Sequence, residues 1–138
     1  MIIDAKNMIA GRLATKVAKL ALLGNTIDII NSDLAVISGN KEEIFASYKV
    51  TFTRGSARKG PFTPKHSDRL LKRIIRGMLP YKQEKGLLAF KRIKCYIGVP
   101  EAFQGKAAET IKEADISKVT RTKYATIGEI AKYLGGNR

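Results

Sequence analysis

The chain has 138 residues, 44% of them hydrophobic, and carries a formal net charge of +14. Its length suffices for one domain with its own core, and the apolar fraction argues against a disordered chain. The charge argues against an ordinary solvated enzyme, because self-repulsion on that scale opposes a compact state that lacks a polyanionic partner. Nucleic acid is the first candidate partner, and an anionic membrane surface the second.

The N-terminal stretch MIIDAKNMIAG lacks a basic region followed by an apolar run, so it does not read as a signal peptide. No uncharged run approaches the ~18 residues of a membrane helix, and the chain is expected to be soluble and to stay where it is made. IIDA (2–5) reads as a buried strand. GRLATKVAKLALLG (11–24) has helical periodicity and a glycine stop at Gly24. TIDIIN and AVISG are two further strand-like runs. NKEEIFASYKV starts with Asn40 and places Glu43 three residues on, the pattern of a capped helix. SDRLLKRIIRGMLP (67–80) is a helix stopped by Pro80, EKGLLAFKR is a further short helix, and IKCYIG (93–98) is a fourth strand. The stretch 104–126 is weakly patterned. TIGEIAKYLGG closes the chain as a helix with a Thr126/Glu129 capping box and a stop at Gly135. Strands alternating with helices predict an α/β sandwich around a small, mostly parallel sheet, with no linker dividing residues 1–138.

The charge is concentrated. Fourteen of the 26 lysines and arginines fall between Lys49 and Lys94, against two of the twelve acids, so this third of the chain carries +12 of the total. On a wheel of about 100° per residue with Leu70 at zero, Ile74, Met78, Leu71 and Ile75 fall at roughly 40, 80, 100 and 140°. Lys72, Arg76, Arg69 and Arg73 fall at roughly 200, 240, 260 and 300°. One face packs on a core, and the other is a row of cations. A solvated face is the plain reading of such a row. Solvated faces alternate sign, however, since like charges at i and i+4 repel, and this row has no acid in it. The first helix repeats the pattern, with Leu13, Val17 and Leu20 on one side and Arg12, Lys16 and Lys19 on the other.

The stretch TFTRGSARKGPFTPKH (51–66) has the G-x-x-x-x-G spacing of a phosphate loop, but Pro61 and Phe62 follow where a P-loop needs Lys and Ser or Thr. Two prolines favour extended backbone there, so the stretch reads as an extended basic loop whose glycines serve close backbone approach. His66, Ser67 and Asp68 are adjacent in sequence and cannot converge as a triad; His66 precedes or caps a helix, with RNA contact a secondary option. The lone Cys95 excludes an internal disulfide and, with His66 the sole histidine, a cysteine-cluster zinc site; it reads as a core residue. The acids are scattered, with no pair set for general acid and base work. Tyr48, Phe52, Phe62, Tyr81 and Phe90 lie among the cations. Most belong to the core, while Phe62 and Tyr81 are candidates to stack on an unpaired base. The residues alone therefore describe an α/β nucleic-acid binder without catalytic machinery, cofactor or metal.

GRLATKVAKLALLGNTIDIINSDLAVISGNKEEI and GPFTPKHSDRLLKRIIRGMLPYKQEKGLLAFKRIKCYIGVP resemble the large-subunit ribosomal protein thirteen family, in its archaeal and eukaryotic branch. The resemblance covers residues 1 to about 103, with IRGMLPYK, KG and YIGVP its most specific part. It implies a three-layer α/β/α sandwich with a four-stranded parallel sheet in the order 3-2-1-4. It also implies a cytoplasmic, ribosome-bound structural protein that binds large-subunit ribosomal RNA, touches neighbouring ribosomal proteins and joins early in assembly. No membrane or small-molecule substrate is implied; some family members act on messenger RNA, a role that nothing in this chain demands.

The expected RNA-binding set is Arg12 and Lys16 on the first helix, Arg54, Arg58, Lys59 and Lys65 in the loop, Arg69, Lys72, Arg73 and Arg76 on the basic helix, and Lys82 and Lys85 beyond it. Gly77 either lets RNA approach the backbone or ends the helix. An RNA-acting enzyme with a nucleotide-fold domain and a DNA-binding architectural protein are the competing classes.

Overall fold

The computed structural model describes residues 1–120 and 123–136. In chain order the elements are β1 (Ile2–Asp4), α1 (Ala10–Leu22), β2 (Ile27–Ile30), β3 (Val36–Ser38), α2 (Lys41–Thr53), α3 (Ser67–Gly77), α4 (Glu84–Lys91), β4 (Ile93–Cys95), β5 (Tyr124–Thr126) and α5 (Ile127–Tyr133). Short 3-10 turns occur at Ser32–Leu34, Glu101–Phe103 and Ile116–Lys118.

β2 is the centre of a parallel sheet, with β1 on one side and β4 on the other. Ile3 pairs with Ile29, which pairs with Cys95, and Ile27 pairs with Ile93. Because side chains alternate along a strand, these residues share one face, and Ile3, Ile27, Ile29 and Ile93 are each at most 1% exposed. Each such isoleucine contributes about 1.5–3 kcal/mol by leaving water. The steps β1→β2→β4 run in one direction across the sheet, so right-handed crossovers put their helices on the same face. Accordingly α1 packs against both α3 and α4, and α3 packs against β4.

The fold is α/β with a small, mostly parallel sheet; three hydrogen-bonded strands form it, in the order β1-β2-β4, and Val36–Ser38, read from the sequence as the third strand, is not among them. Val36–Ser38 leaves the sheet and pairs antiparallel with β5, Val36 opposite Thr126 and Ser38 opposite Tyr124. β4 takes the place beside β2. An apolar run of three residues carries too little pattern to specify its neighbour, and β5 arises inside the stretch that shows no clear period. Past β1 the sheet gains a single bridge: Glu109 N–H donates to the Ile2 carbonyl (2.9 Å) and Asp4 N–H to the Glu109 carbonyl (3.1 Å). The return from β4 to that edge reverses direction and crosses the second face, which carries Asp28 and Lys94. Phe103 meets Tyr96 edge-on there at 5.3 Å. The connection holds one 3-10 turn where the three-layer expectation requires a helix.

α1 buries Ala10, Leu13, Ala14, Val17, Ala18 and Ala21, a stripe at helical spacing, and the chain turns at Gly24 with φ +101°. α3 ends at Gly77, three residues before Pro80, having buried Leu70, Leu71 and Ile75. Met78, on the expected apolar face, is 42% exposed. α2 is attached differently. No residue of it is fully buried, and Asn40 makes no side-chain cap, contrary to its sequence pattern; Ile44, Phe45, Tyr48 and Phe52 are partly buried against the core. Stacking of Phe45 on Tyr133 at 4.8 Å and an ion pair of Lys41 with Glu129 at 2.9 Å tie it to α5. α5 has its expected capping box, with Glu129 N–H donating to Thr126 Oγ1 (3.2 Å) and Thr126 N–H to Glu129 Oε2 (3.0 Å).

Candidate nucleic-acid interface

The basic stretch after α2 folds back on itself. Ser56 and Gly60 exchange backbone hydrogen bonds of 3.1 and 2.9 Å, and Lys59 N–H donates to Ser56 Oγ at 3.1 Å. A small hairpin results, with Arg58 and Lys59 at its exposed tip, in place of the extended loop that the prolines suggested. Its glycines have a different use from the one expected. Gly55 (φ +94°) and Gly60 (φ +80°) take left-handed backbone, and a Cβ at Gly55 would run into the Gly60 carbonyl and the Pro61 ring. The close approach is therefore one limb of the hairpin against the other.

The hairpin leads into α3 through Lys65 and His66. His66 is exposed at the N-cap position, and its side chain makes no cap hydrogen bond. α3 then presents Arg69, Lys72, Arg73 and Arg76. Among the described residues the ion pairs are Lys16–Glu113 and Lys41–Glu129, so none of the fourteen cations from Lys49 to Lys94 is paired with a carboxylate. Three rest on aromatic rings: Lys65 over Phe52 (4.9 Å), Lys72 over Phe90 (4.8 Å) and Arg76 over Tyr81 (5.0 Å). An aromatic face attracts a cation by about 0.5–1 kcal/mol at an exposed site without cancelling its charge. Long side chains are thus positioned while their charge stays available to an anion.

Three concavities border this row. One of about 280 Å³ lies between the hairpin and α3, lined by Phe62, Pro64, Arg69, Lys72, Arg73, Arg76 and Phe90. A second, of about 370 Å³, opens between α2 and α3 and is lined by Ser47, Tyr48, Thr51 and Thr63 beside Arg73 and Gly77. Burial raises the Tyr48 phenol pKa above its ordinary value, against the field of Arg73. The third, about 350 Å³, joins Arg69, Lys72 and Lys94 around Asp68, Cys95 and Tyr96. Asp68 Oδ1 is buried there without a hydrogen-bond partner among the described residues. The Cys95 thiol, half-buried at the core's edge, is pushed up to about 12, chiefly by burial.

The expected site residues divide accordingly. Arg54, Arg58, Lys59 and Lys65 lie on the hairpin and its flanks, Arg69, Lys72, Arg73 and Arg76 form the α3 row, and Lys82 and Lys85 are exposed around the start of α4. Arg12 and Lys16 are engaged elsewhere: Lys16 pairs with Glu113 at 2.7 Å, and Arg12 Nη1 donates to the Glu113 carbonyl at 3.3 Å. Phe62 is 75% exposed, whereas Tyr81 is 42% exposed and has Arg76 over its ring. Two groups escaped sequence reasoning. Lys94 alternates with Ile93 and Cys95 along β4, a detectable signal. Ser47, Tyr48 and Thr51 recur at helical spacing on α2, but nothing local says that α3 lies opposite.

The family model for ribosomal protein L13 matches residues 1–102. The large ribosomal subunit protein uL13 of Archaeoglobus fulgidus is 45% identical over 135 residues, covering 97% of this chain and 86% of that protein. Its counterpart from Picrophilus torridus is 46% identical over 133 residues, covering 96% and 95%. That of Methanococcoides burtonii is 42% identical over 134 residues, covering 97% and 96%.

Proposed function

The chain belongs to the ribosomal protein L13 family, and on that premise we propose that it is a structural constituent of the large ribosomal subunit. It holds large-subunit ribosomal RNA against the face made by the 54–66 hairpin and α3. The observation that carries this reading is the row of cations that lack carboxylate partners and are set on aromatic rings. Phosphates complete that row, and each contact releases condensed counterions. A footprint of ~8 phosphates gives a salt slope near −7 on duplex.

Gly77 is the last residue of α3 and is compatible with the same reading. A Cβ there would meet nothing within 4 Å, so neither packing nor a left-handed backbone requires glycine, and the open space leaves room for RNA at the end of the helix. The protein works as one domain around a continuous core, in the cytoplasm as part of the ribosome. It acts without catalysis, takes part in subunit assembly and has neighbouring ribosomal proteins as its other partners. Messenger RNA is not part of this reading. No helix among the described residues is long and apolar enough to cross a membrane.

Sedimentation tests the proposal. Tagged protein is expected in the large-subunit peak of a low-salt gradient, and its exclusion from that peak refutes the reading. Arg73→Glu with Arg76→Glu is expected to keep the circular dichroism spectrum and to impair incorporation; normal incorporation rejects this face as the RNA surface.

A further inference from the structure

We propose that the pocket between the hairpin and α3 seats a single unpaired base of the bound RNA, stacked on Phe62, so that this face reads a bulged or looped nucleotide as well as phosphates. The inference rests on the RNA-binding reading above and adds which kind of nucleotide is held.

Phe62 is the most exposed large hydrophobic side chain among the described residues, at 75%. Left in water, the ring adds nothing to the fold by burial. The ring lies close over Gly60, so that a Cβ there would come within 3.2 Å of two ring carbons. The ring borders the hairpin's own hollow on one side and the α3 pocket on the other. The neighbouring rings of Phe52, Phe90 and Tyr81 each carry a cation, whereas Phe62 carries none among the described residues. Its π face is therefore open to a ligand, which separates it from Tyr81.

The pocket's volume of about 280 Å³ accepts one flat ring system, and Arg69, Arg73 and Arg76 line it. Phosphates on either side of a splayed base can reach those guanidinium groups while the base lies on the ring. A duplex offers this site phosphates alone, because its bases are stacked inside the helix. Sequence-reading contacts to RNA use unstacked bases on aromatic or guanidinium planes.

The chain contains no tryptophan, so Phe62→Trp makes a full-length protein with one indole at the proposed seat. Two probes are compared at low salt: a short oligouridine strand, and a blunt RNA duplex with the same number of phosphates. Oligouridine is expected to quench the indole, and the duplex to bind without comparable quenching. In parallel, Phe62→Ala is expected to weaken oligouridine binding by about tenfold to a hundredfold and duplex binding by less than about twofold. Equal loss on both probes, no loss on either, or an indole unquenched by bound oligouridine overturns the proposal. Quenching that arises only with large-subunit proteins also overturns it, since the seat then takes a protein side chain. The two readings fail separately. If neither probe binds wild-type protein, the RNA reading itself is lost. If both bind and Arg69→Gln with Arg73→Gln weakens both while Phe62→Ala changes nothing, only the base seat is lost.

Discussion

Replacing Arg69 and Arg73 by glutamine removes two cations at i and i+4 on α3 while keeping much of each aliphatic stem. Neither guanidinium is in an ion pair among the described residues, and neither lies over an aromatic ring, unlike Lys72 and Arg76. Their mutual repulsion costs the helix about 0.2–0.5 kcal/mol, and further like pairs with Lys72 and Arg76 add to it. Glutamine and arginine have nearly the same helix propensity. The double variant should therefore melt between no change and about 3 °C higher than wild type. Binding to large-subunit ribosomal RNA should move the other way. Each lost phosphate contact reduces the slope of log affinity against log salt by about 0.7–0.9, so the slope should flatten by about 1.4–1.8. Fluorescence anisotropy across a salt series measures the slope, and circular dichroism melting measures the stability. A fall of several degrees would show that the row is part of the fold. An unchanged slope in a folded variant would show that these side chains do not meet phosphate.

Gly86→Ala is expected to cost about 1–3 kcal/mol by overpacking, since its Cβ would collide with the Pro80 carbonyl and lie 2.9 Å from Tyr81 N; a urea midpoint reads the loss. Gly77→Ala, with open space around it, should hold or raise stability by up to about 0.5–1 kcal/mol and weaken RNA binding. Cys95 should react with a thiol reagent at pH 8 more slowly than a cysteine of the unfolded chain, because burial pushes its thiol up to about 12. The folded thiol keeps its proton above the ordinary value of 9.0, where the unfolded one loses it, so stability should fall as pH rises from there toward 12. Glu129 runs the opposite way: the hydrogen bond from Lys41, then that from Thr126, lowers its carboxyl below the ordinary 4.5. Its contribution is present above 4.5 and is lost as pH falls through the lower folded value. Lys41→Met should move that acid limb up toward 4.5 in a melting series.

In the proposed role, a row of like charges on one helix weakens the free protein slightly and would strengthen its hold on RNA, so that folding and binding would draw on the same side chains in opposite directions. The aromatic rings under Lys65, Lys72 and Arg76 reconcile the two, because they restrain the cations without acids that RNA would have to displace.

The sequence by itself determined what depends on near neighbours along the chain. Periodicity gave α3 its apolar and basic faces, the Thr126/Glu129 pair gave α5 its start, and the count between Lys49 and Lys94 located the charge. Family-specific runs such as IRGMLPYK added the identity. Tertiary structure alone decided which strands are neighbours, since three-residue strands such as Val36–Ser38 and Ile93–Cys95 pair through contacts that no local pattern encodes. It also decided where each cation lies relative to the acids: Lys16 and the residues of α3 look alike on a helical wheel, yet Glu113, 97 residues along the chain, lies 2.7 Å from Lys16, whereas no carboxylate among the described residues pairs with the α3 row. The hairpin shows the same division. Its glycines were legible as special positions, but whether they admit RNA or each other depended on where the chain returns, and Gly60 returns onto Gly55.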